Sequence, residues 1–259
     1  MRFIRRIMKS EGHQKGMPES GSTTKPVSVN QSVAICVVAG IDSGVGKTMA
    51  TGLLARWFKD TDNPAITMKM VQTGGSGLSE DVVAHRRLAS TEMAEEDAMG
   101  VTCPYVFSVS CAPHLAAQLD GRTLDPQVIV NAAEELAGVY GHVLVEAVGG
   151  LFTPLTEDLS VVDLIQTQNW PVLLVTGPWA GSVNHTLAAL ETLERRGITL
   201  QGMIYNLDGS RTIDPRIIDD SRRLFGRAIK NLGCRRPICD IPDVSCTKTY
   251  CVDFSGLFS

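Results

Sequence analysis

Lys47 and Thr48 close the run V-A-I-C-V-V-A-G-I-D-S-G-V-G-K-T at residues 33–48, and that order can build a phosphate cradle. A buried strand ends, glycines turn backbone N–H groups inward, and a helix starts with its positive dipole end at the anion. In such a cradle Lys47 reaches the β/γ-phosphates and the Thr48 hydroxyl ligates Mg²⁺. The glycine spacing is irregular. The general pattern wants glycine at position 41, which is Ile41, and the next glycine upstream of Gly44 is Gly40. The run points to a nucleotide phosphate and leaves the reaction open.

Three more polar residues follow or flank short apolar runs. Lys69 leaves the run 65–68 into K-M-V-Q-T-G-G-S-G. A second cation there can stand beside the phosphates, although taken alone it also reads as a lysine snorkelling from the sheet edge. Glu146 closes the run 142–145 and precedes A-V-G-G. A carboxylate in that place suits Mg²⁺ binding or water ordering, or equally a helix cap or a solvent-facing acid. Asp81 begins the amphipathic stretch 79–89, as a helix-cap acid or a third Mg²⁺ ligand.

The elements that position these residues alternate along the chain. Apolar runs bounded by turn residues predict strands at 33–39, 65–68, 142–146, 171–176, 201–206 and 237–241. Amphipathic stretches predict helices at 47–59, 79–89, 126–139, 183–196 and 214–231. The aliphatic runs 143–145 and 172–175 suit strands covered on both faces, and Asp125-Pro126 and Gly141 bracket one helix. The alternation predicts an α/β fold: a mostly parallel sheet flanked by helices on both faces, P-loop NTPase-like, in one domain over 32–259. Its ligands belong beyond the strands' carboxyl ends.

Composition narrows the partners. A chain of 259 residues with 44% apolar and 20% charged residues is long enough for a sizeable core and ordinary for a globular protein. A net charge of −4 lacks the basic bias of a nucleic-acid or anionic-membrane binder. No apolar run approaches the roughly 20 residues of a membrane helix. Seven cysteines fit a reduced, cytoplasmic chain better than a disulfide framework, and Cys234, Cys239, Cys246 and Cys251 lack the C-x-x-C pairing of a zinc site. Residues 1–31 differ from the rest: Arg2, Arg5, Arg6 and Lys9 lie among Phe3, Ile4, Ile7 and Met8, before an apolar-poor stretch. This suits a disordered extension or an upstream start codon more than an organelle-targeting peptide, against which Glu11 and Glu19 count.

Five blocks in order, G-I-D-S-G-V-G-K-T, K-M-V-Q-T-G, P-Y-V-F-S-V-S-C-A-P-H-L-A-A, E-A-V-G-G-L-F-T-P-L and G-S-V-N-H, resemble the dethiobiotin synthetase family over about residues 33–245. The irregular glycine fits that family's loop, G-T-D-T-x-V-G-K-T. The resemblance implies ATP- and Mg²⁺-dependent joining of CO₂ to 7,8-diaminopelargonate in biotin synthesis. One amine becomes a carbamate, which takes the γ-phosphoryl group as a carbamic–phosphoric anhydride. The second amine then displaces phosphate and closes the ureido ring.

The same resemblance implies catalytic roles for Lys47, Lys69 and Ser43, with Thr73 at the diamine or carbamate. Thr48, Asp81 and Glu146 become the Mg²⁺ set. Gly44, Val45, Gly46, Met49 and Gly149 join the nucleotide site, Asn206 reads the adenine edge, and Pro242, Asp243 and Val244 surround the base. Gly181, Ser182, Val183 and Asn184 open a helix whose N–H groups bind the substrate's carboxylate tail. In the family that helix comes from the other subunit, which implies a homodimer with sites at its interface.

Some positions depart from the family. Met70 replaces a proline and leaves the lysine loop freer, while Gly44 replaces a frequent Glu. Ala147-Val148 replace a smaller Gly-Ala pair and crowd the phosphate or substrate, and Trp179 stands where some members carry Lys. Three rival readings remain beside this one. A partitioning-type ATPase switch usually carries an extra lysine early in its loop, where this chain has Asp42. A corrin amidotransferase synthetase needs a glutaminase domain for which this chain has no room. The third is a degenerate, inactive homologue.

Overall fold

The computed structural model describes residues 34–210, 213–234, 238–243 and 252–258. The expected extension at 1–31, together with Val244, Cys246 and Cys251, lies outside them. Among the described residues eight strands are present: β1 (Ile35–Gly40), β2 (Ile66–Lys69), β3 (Gln72–Thr73), β4 (Val106–Phe107), β5 (Val143–Gly150), β6 (Val172–Thr176), β7 (Leu200–Asn206) and β8 (Ile238–Ile241). The helices are α1 (Lys47–Asp60), α2 (Glu80–Ala89), α3 (Glu95–Ala98), α4 (Pro113–Leu119), α5 (Pro126–Tyr140), α6 (Val161–Gln168), α7 (Ser182–Arg195), α8 (Pro215–Asn231) and α9 (Ser255–Phe258).

Six strands form one parallel sheet in the order β2-β5-β1-β6-β7-β8, and β3 and β4 pair in a small parallel sheet of their own. The chain leaves β1 for β2, beyond β5, and later returns to β6 on the other side of β1. That reversal puts the loop leaving β1, residues 41–46, at the switch point where open α/β sheets bind ligands.

Successive strand residues face opposite sides, so the sheet has two cores. Val37, Met68, Val145 and Leu174 pack with α5, α6 and α7, while Cys36, Val38, Leu144 and Leu173 pack with α1 and α9. Glu146 lies two residues beyond Leu144, and Lys69 two beyond Thr67, so both belong to the side covered by α1 and α2. The C-terminal α9 closes over α1: Phe258 stacks on Trp57 at 5.5 Å and meets Phe58 edge-on at 4.9 Å. Such ring pairs add about 0.5–1.5 kcal/mol beyond area burial, and here they hold the helix whose first turn carries Lys47 and Thr48.

Each predicted strand and helix is present, with ends moved by a residue or two, except that β5 runs on through Gly150. The sequence reading misses β3, β4, α3, α4, α6 and α9. A two-residue strand has no alternation and a single helical turn has no stripe. Val161, Leu164 and Ile165 of α6 do carry the i, i+3, i+4 spacing, which the strand-to-strand reading passes over.

Candidate active site

Register brings the first two charged groups together. β2 and β5 pair with Lys69 beside Glu146, so both side chains leave the sheet's carboxyl edge on one face. The Met70 N–H donates to the Glu146 carbonyl at 3.0 Å, and the Met70 side chain is fully buried. Proline has no N–H to give. Met70 therefore adds a rung at this edge and ties down the loop it was expected to free. Ala147 is likewise buried in the larger core, with Val148 packed against it, so the pair is taken up by packing.

The helix behind the loop starts without a cap. Gly46 precedes α1 with φ 93°, no side chain bonds its first N–H groups, and its first turn holds no acid. Gly181 precedes α7 in the same way, with φ 87°, whereas α2, α5 and α8 are capped by Ser79, Asp125 and Asp214. Free N–H groups at an unneutralised dipole end are what an anion requires. At Gly46 a Cβ would stand 2.2 Å from Asn206 Nδ2, which donates to the Val45 carbonyl at 3.1 Å. Both the left-handed backbone and the close approach demand glycine there. Gly149 (φ 61°) is constrained likewise, because Thr153 folds back over it and accepts the Gly150 N–H at 2.9 Å.

Around this helix start the polar groups converge. Thr48 Oγ1 lies 3.1 Å from Asp81 Oδ1 and 3.0 Å from Glu146 Oε1. Lys69 Nζ donates to Asp81 Oδ2 at 2.5 Å and to Glu146 Oε1 at 2.6 Å. Three hard oxygens meeting at one point fit Mg²⁺, which takes one or two carboxylates and completes its shell with water and phosphate oxygens. No trio of His, Cys, Asp and Glu side chains suited to a metal gathers among the described residues, so the Thr48 hydroxyl is needed to complete the donor set.

Charge and burial oppose each other here. Glu146 is 1% exposed. Burial pushes its carboxyl up, but the Lys69 ammonium and the His85 hydrogen bond outweigh that and bring it down to about 2. Burial also works against the Lys69 charge, and Glu146 and Asp81 overcome it, so its pKa ends above the usual lysine value. Lys47 has weaker support: its Nζ donates to the Asp42 and Gly149 carbonyls at 2.8 and 2.7 Å. Burial first, then the neighbouring Lys69 charge, lowers it to about 8.

Lys47 sets a pH dependence of known sign. Phosphate oxygens raise the pKa of an adjacent ammonium, so nucleotide binding takes up a proton once the free protein's Lys47 has begun to lose its own. Affinity is then full below about pH 8 and falls above it by up to tenfold per unit. Calorimetry at about pH 9 in two buffers of different protonation enthalpy should show net proton uptake. Buffer-independent heats would contradict the assignment.

The remaining expected residues take different places. Ser43 and Gly44 are exposed in the loop, Val45 is buried beneath it, and Met49 packs at the edge of the α1 core. Thr73 lies on β3, beside Gln72. The Leu207 N–H donates to the Ile241 carbonyl at 2.8 Å, so Pro242 and Asp243 continue from β8 beside Asn206. Ser182 is buried, Val183 half-buried, and Gly181 and Asn184 exposed. That helix start meets the loop through His185 Nδ1, 3.9 Å from Asp42 Oδ2.

Sequence reading missed five contributors. His85 bonds Glu146 from α2, and its spacing of four residues from Asp81 was a usable signal. Gln72 Oε1 accepts the Ser79 hydroxyl at 2.9 Å and so fixes the start of α2. Thr153 lies inside the block E-A-V-G-G-L-F-T-P-L but was given no role there, and the Arg86–Asp97 pair carries no local signature.

Comparison with known proteins bears on most of the chain. A family described as "AAA domain" matches residues 35–244. The ATP-dependent dethiobiotin synthetase BioD of Chlorobaculum tepidum is 40% identical over 208 residues, covering 80% of this chain and 86% of that protein. The ATP-dependent dethiobiotin synthetase BioD 2 of Haemophilus influenzae is 41% identical over 172 residues, covering 66% of this chain and 90% of its own. Among solved structures, a ParA family ATPase from Chlorobium tepidum TLS has 15% identity and a TM-score of 0.47, covering 83% of this chain and 85% of that one. That likeness is too remote to carry an argument. With 40% identity over 80% of its length to such a relative, the chain belongs to the ATP-dependent dethiobiotin synthetase family.

Proposed function

We propose that this protein closes the ureido ring of dethiobiotin from 7,8-diaminopelargonate, CO₂ and ATP. The observation that carries the reading is the register-matched Lys69–Glu146 pair beside Thr48, an arrangement of the kind that a two-lysine site with bound Mg²⁺ needs. The chemistry asks mainly for placement and positive charge. A carbamate oxygen attacks the γ-phosphorus as ADP leaves, and the second amine then attacks the carbamoyl carbon as phosphate leaves. Little covalent work falls to the protein.

The residues divide that work. Lys47 and the N–H groups of Gly44, Val45 and Gly46 hold the phosphates, and Lys69 stabilises charge on the transferring phosphoryl group and the carbamate. The exposed Ser43 hydroxyl and the half-buried Thr73 orient the carbamate and diamine. Thr48, Asp81 and Glu146 would hold Mg²⁺, which when bound neutralises charge on the phosphate oxygens. Asn206, with Pro242, Asp243 and Val244, receives the base, and the uncapped start of α7 at Gly181–Asn184 receives a carboxylate tail. Because Gly181 and Asn184 at that start are exposed, it can serve a second subunit, which supports a homodimer; sedimentation at the monomer mass alone would rule this out. Cysteines that stand as thiols, such as Cys103 and Cys111, support a reducing, cytoplasmic setting.

The test incubates the purified chain with ATP, Mg²⁺, bicarbonate and diaminopelargonate and looks for dethiobiotin by mass. Diamine-independent ATP hydrolysis with no cyclic urea would sink the reading and favour the switch-type ATPase.

A further inference from the structure

We propose that His85 is a positioning residue that pins Glu146 so that one carboxylate oxygen faces the site, tuning it toward Mg²⁺ over Ca²⁺. This rests on Thr48, Asp81 and Glu146 being the Mg²⁺ set. His85 sits on α2 one turn after Asp81, on the same helix face, and is fully buried. Its Nε2 lies 2.6 Å from Glu146 Oε2. An ionised carboxylate offers only lone pairs, so the shared hydrogen is on Nε2 and the histidine donates.

The two oxygens of Glu146 are thereby divided. Oε2 is turned to the helix, and Oε1 to Thr48 Oγ1 at 3.0 Å and Lys69 Nζ at 2.6 Å. The other ring nitrogen, Nδ1, is buried with no hydrogen-bond partner among the described residues. Buried polar atoms are normally paired. A histidine held here with one nitrogen unsatisfied is being used for its bond to Glu146.

Cation selectivity follows from that division. The terminal torsion of a glutamate is soft, so without a donor on Oε2 the carboxylate can turn both oxygens toward a cation. Ca²⁺ accepts bidentate carboxylates and a larger, looser shell, whereas Mg²⁺ demands near-octahedral geometry. Holding Oε2 aside pre-sets the Mg²⁺ arrangement and denies Ca²⁺ its second oxygen. Outer-shell partners of this kind are worth about 10- to 100-fold in metal affinity.

The experiment compares the wild-type chain with His85→Leu and His85→Gln. The Gln amide can donate at a similar reach, and Leu cannot. Affinity for a non-hydrolysable ATP analogue is measured in excess Mg²⁺, in excess Ca²⁺ and in EDTA, with melting temperatures recorded alongside. The wild-type protein should bind the analogue more tightly with Mg²⁺ than with Ca²⁺. His85→Leu should lose that preference by about tenfold, while His85→Gln keeps it. If the Leu variant does not fold, His85→Asn, too short to reach Oε2, takes its place with the same expectation. An unchanged Mg²⁺-to-Ca²⁺ preference in the Leu or Asn variant overturns the positioning role, as does a folded Gln variant that fails like Leu. If Mg²⁺ does not strengthen wild-type binding relative to EDTA, the Mg²⁺ set itself is misassigned, an outcome distinguishable from the others.

Discussion

Lys69→Ala is expected to lower kcat for ring closure by about 10²- to 10³-fold, with a much smaller change in KM for ATP. The side chain is 7% exposed, so its charge acts across a path from which water is largely excluded, where an ammonium stabilises developing phosphoryl charge far more than it would in water. Glu146 and Asp81 keep it protonated despite that burial. An interaction that strengthens as charge moves onto the transferring group is lost from kcat rather than from binding.

The fold should survive this change, at the stability cost that follows when a buried carboxylate, here Glu146, loses its main counter-charge. The Lys69 backbone N–H still donates to the Thr102 carbonyl at 2.8 Å, and His85 still donates to Glu146. Asp81 keeps partial access to water. Lys69→Arg should not rescue, since a planar guanidinium replaces a compact ammonium in a closed space. Steady-state kinetics beside circular-dichroism melting make the check. Near-normal turnover in a folded Lys69→Ala protein would remove Lys69 from the mechanism.

The second large effect is on stability. Arg86→Ala is expected to cost about 3–5 kcal/mol, because it leaves Asp97 buried without its counter-charge. Arg86 Nε and Nη2 donate to the two Asp97 oxygens at 2.8 and 2.7 Å, and Nη1 donates to Thr67 Oγ1 at 2.7 Å. Thr102 Oγ1 and the Ala94 N–H, each at 2.7 Å, complete the Asp97 carboxylate. An exposed pair would be worth only about 0–1 kcal/mol; burial of both partners decides the larger figure.

This network ties α2, which carries Asp81 and His85, to β2, which ends at Lys69. Loss of activity should therefore accompany the loss of stability. In a chain of this size the melting temperature should fall by about 10 °C. Replacing both partners by apolar residues, Arg86→Met with Asp97→Leu, should recover much of it.

The acid side has a definite sign. Burial pushes the Asp97 carboxyl up, but the bonds from Arg86, Thr102 and Ala94 bring it below its ordinary 3.8. Its contribution is present above that value and is lost as pH falls below it. An unfolding free energy within about 1 kcal/mol of wild type for Arg86→Ala would contradict the account.

How much of this was legible in advance differs by element. The sheet strands and their long helices could be read because apolar spacing reports directly on which faces are covered. The phosphate loop was equally legible, since its glycines answer to local geometry. Met70 shows where local reading fails. Seen as a lost proline it suggested a looser loop, and only its place beside Glu146 in β5 reveals the hydrogen bond it adds. His85, Gln72 and Arg86 were missed because their partners lie elsewhere in the chain, and no periodicity records a partner.

The sequence by itself determined the phosphate loop, the parallel α/β alternation and the family, because these depend on residue types at short spacing and on ordered blocks. It also supplied Lys69, Asp81 and Glu146 as separate polar residues near strand or helix ends. What only the tertiary structure decided is that they meet. Strand order β2-β5-β1 and the alignment of Lys69 with Glu146 bring residues 77 positions apart to 2.6 Å. Charges assembled from distant segments shift one another's protonation and divide one another's oxygens. That coupling exists only once the sheet has fixed its register.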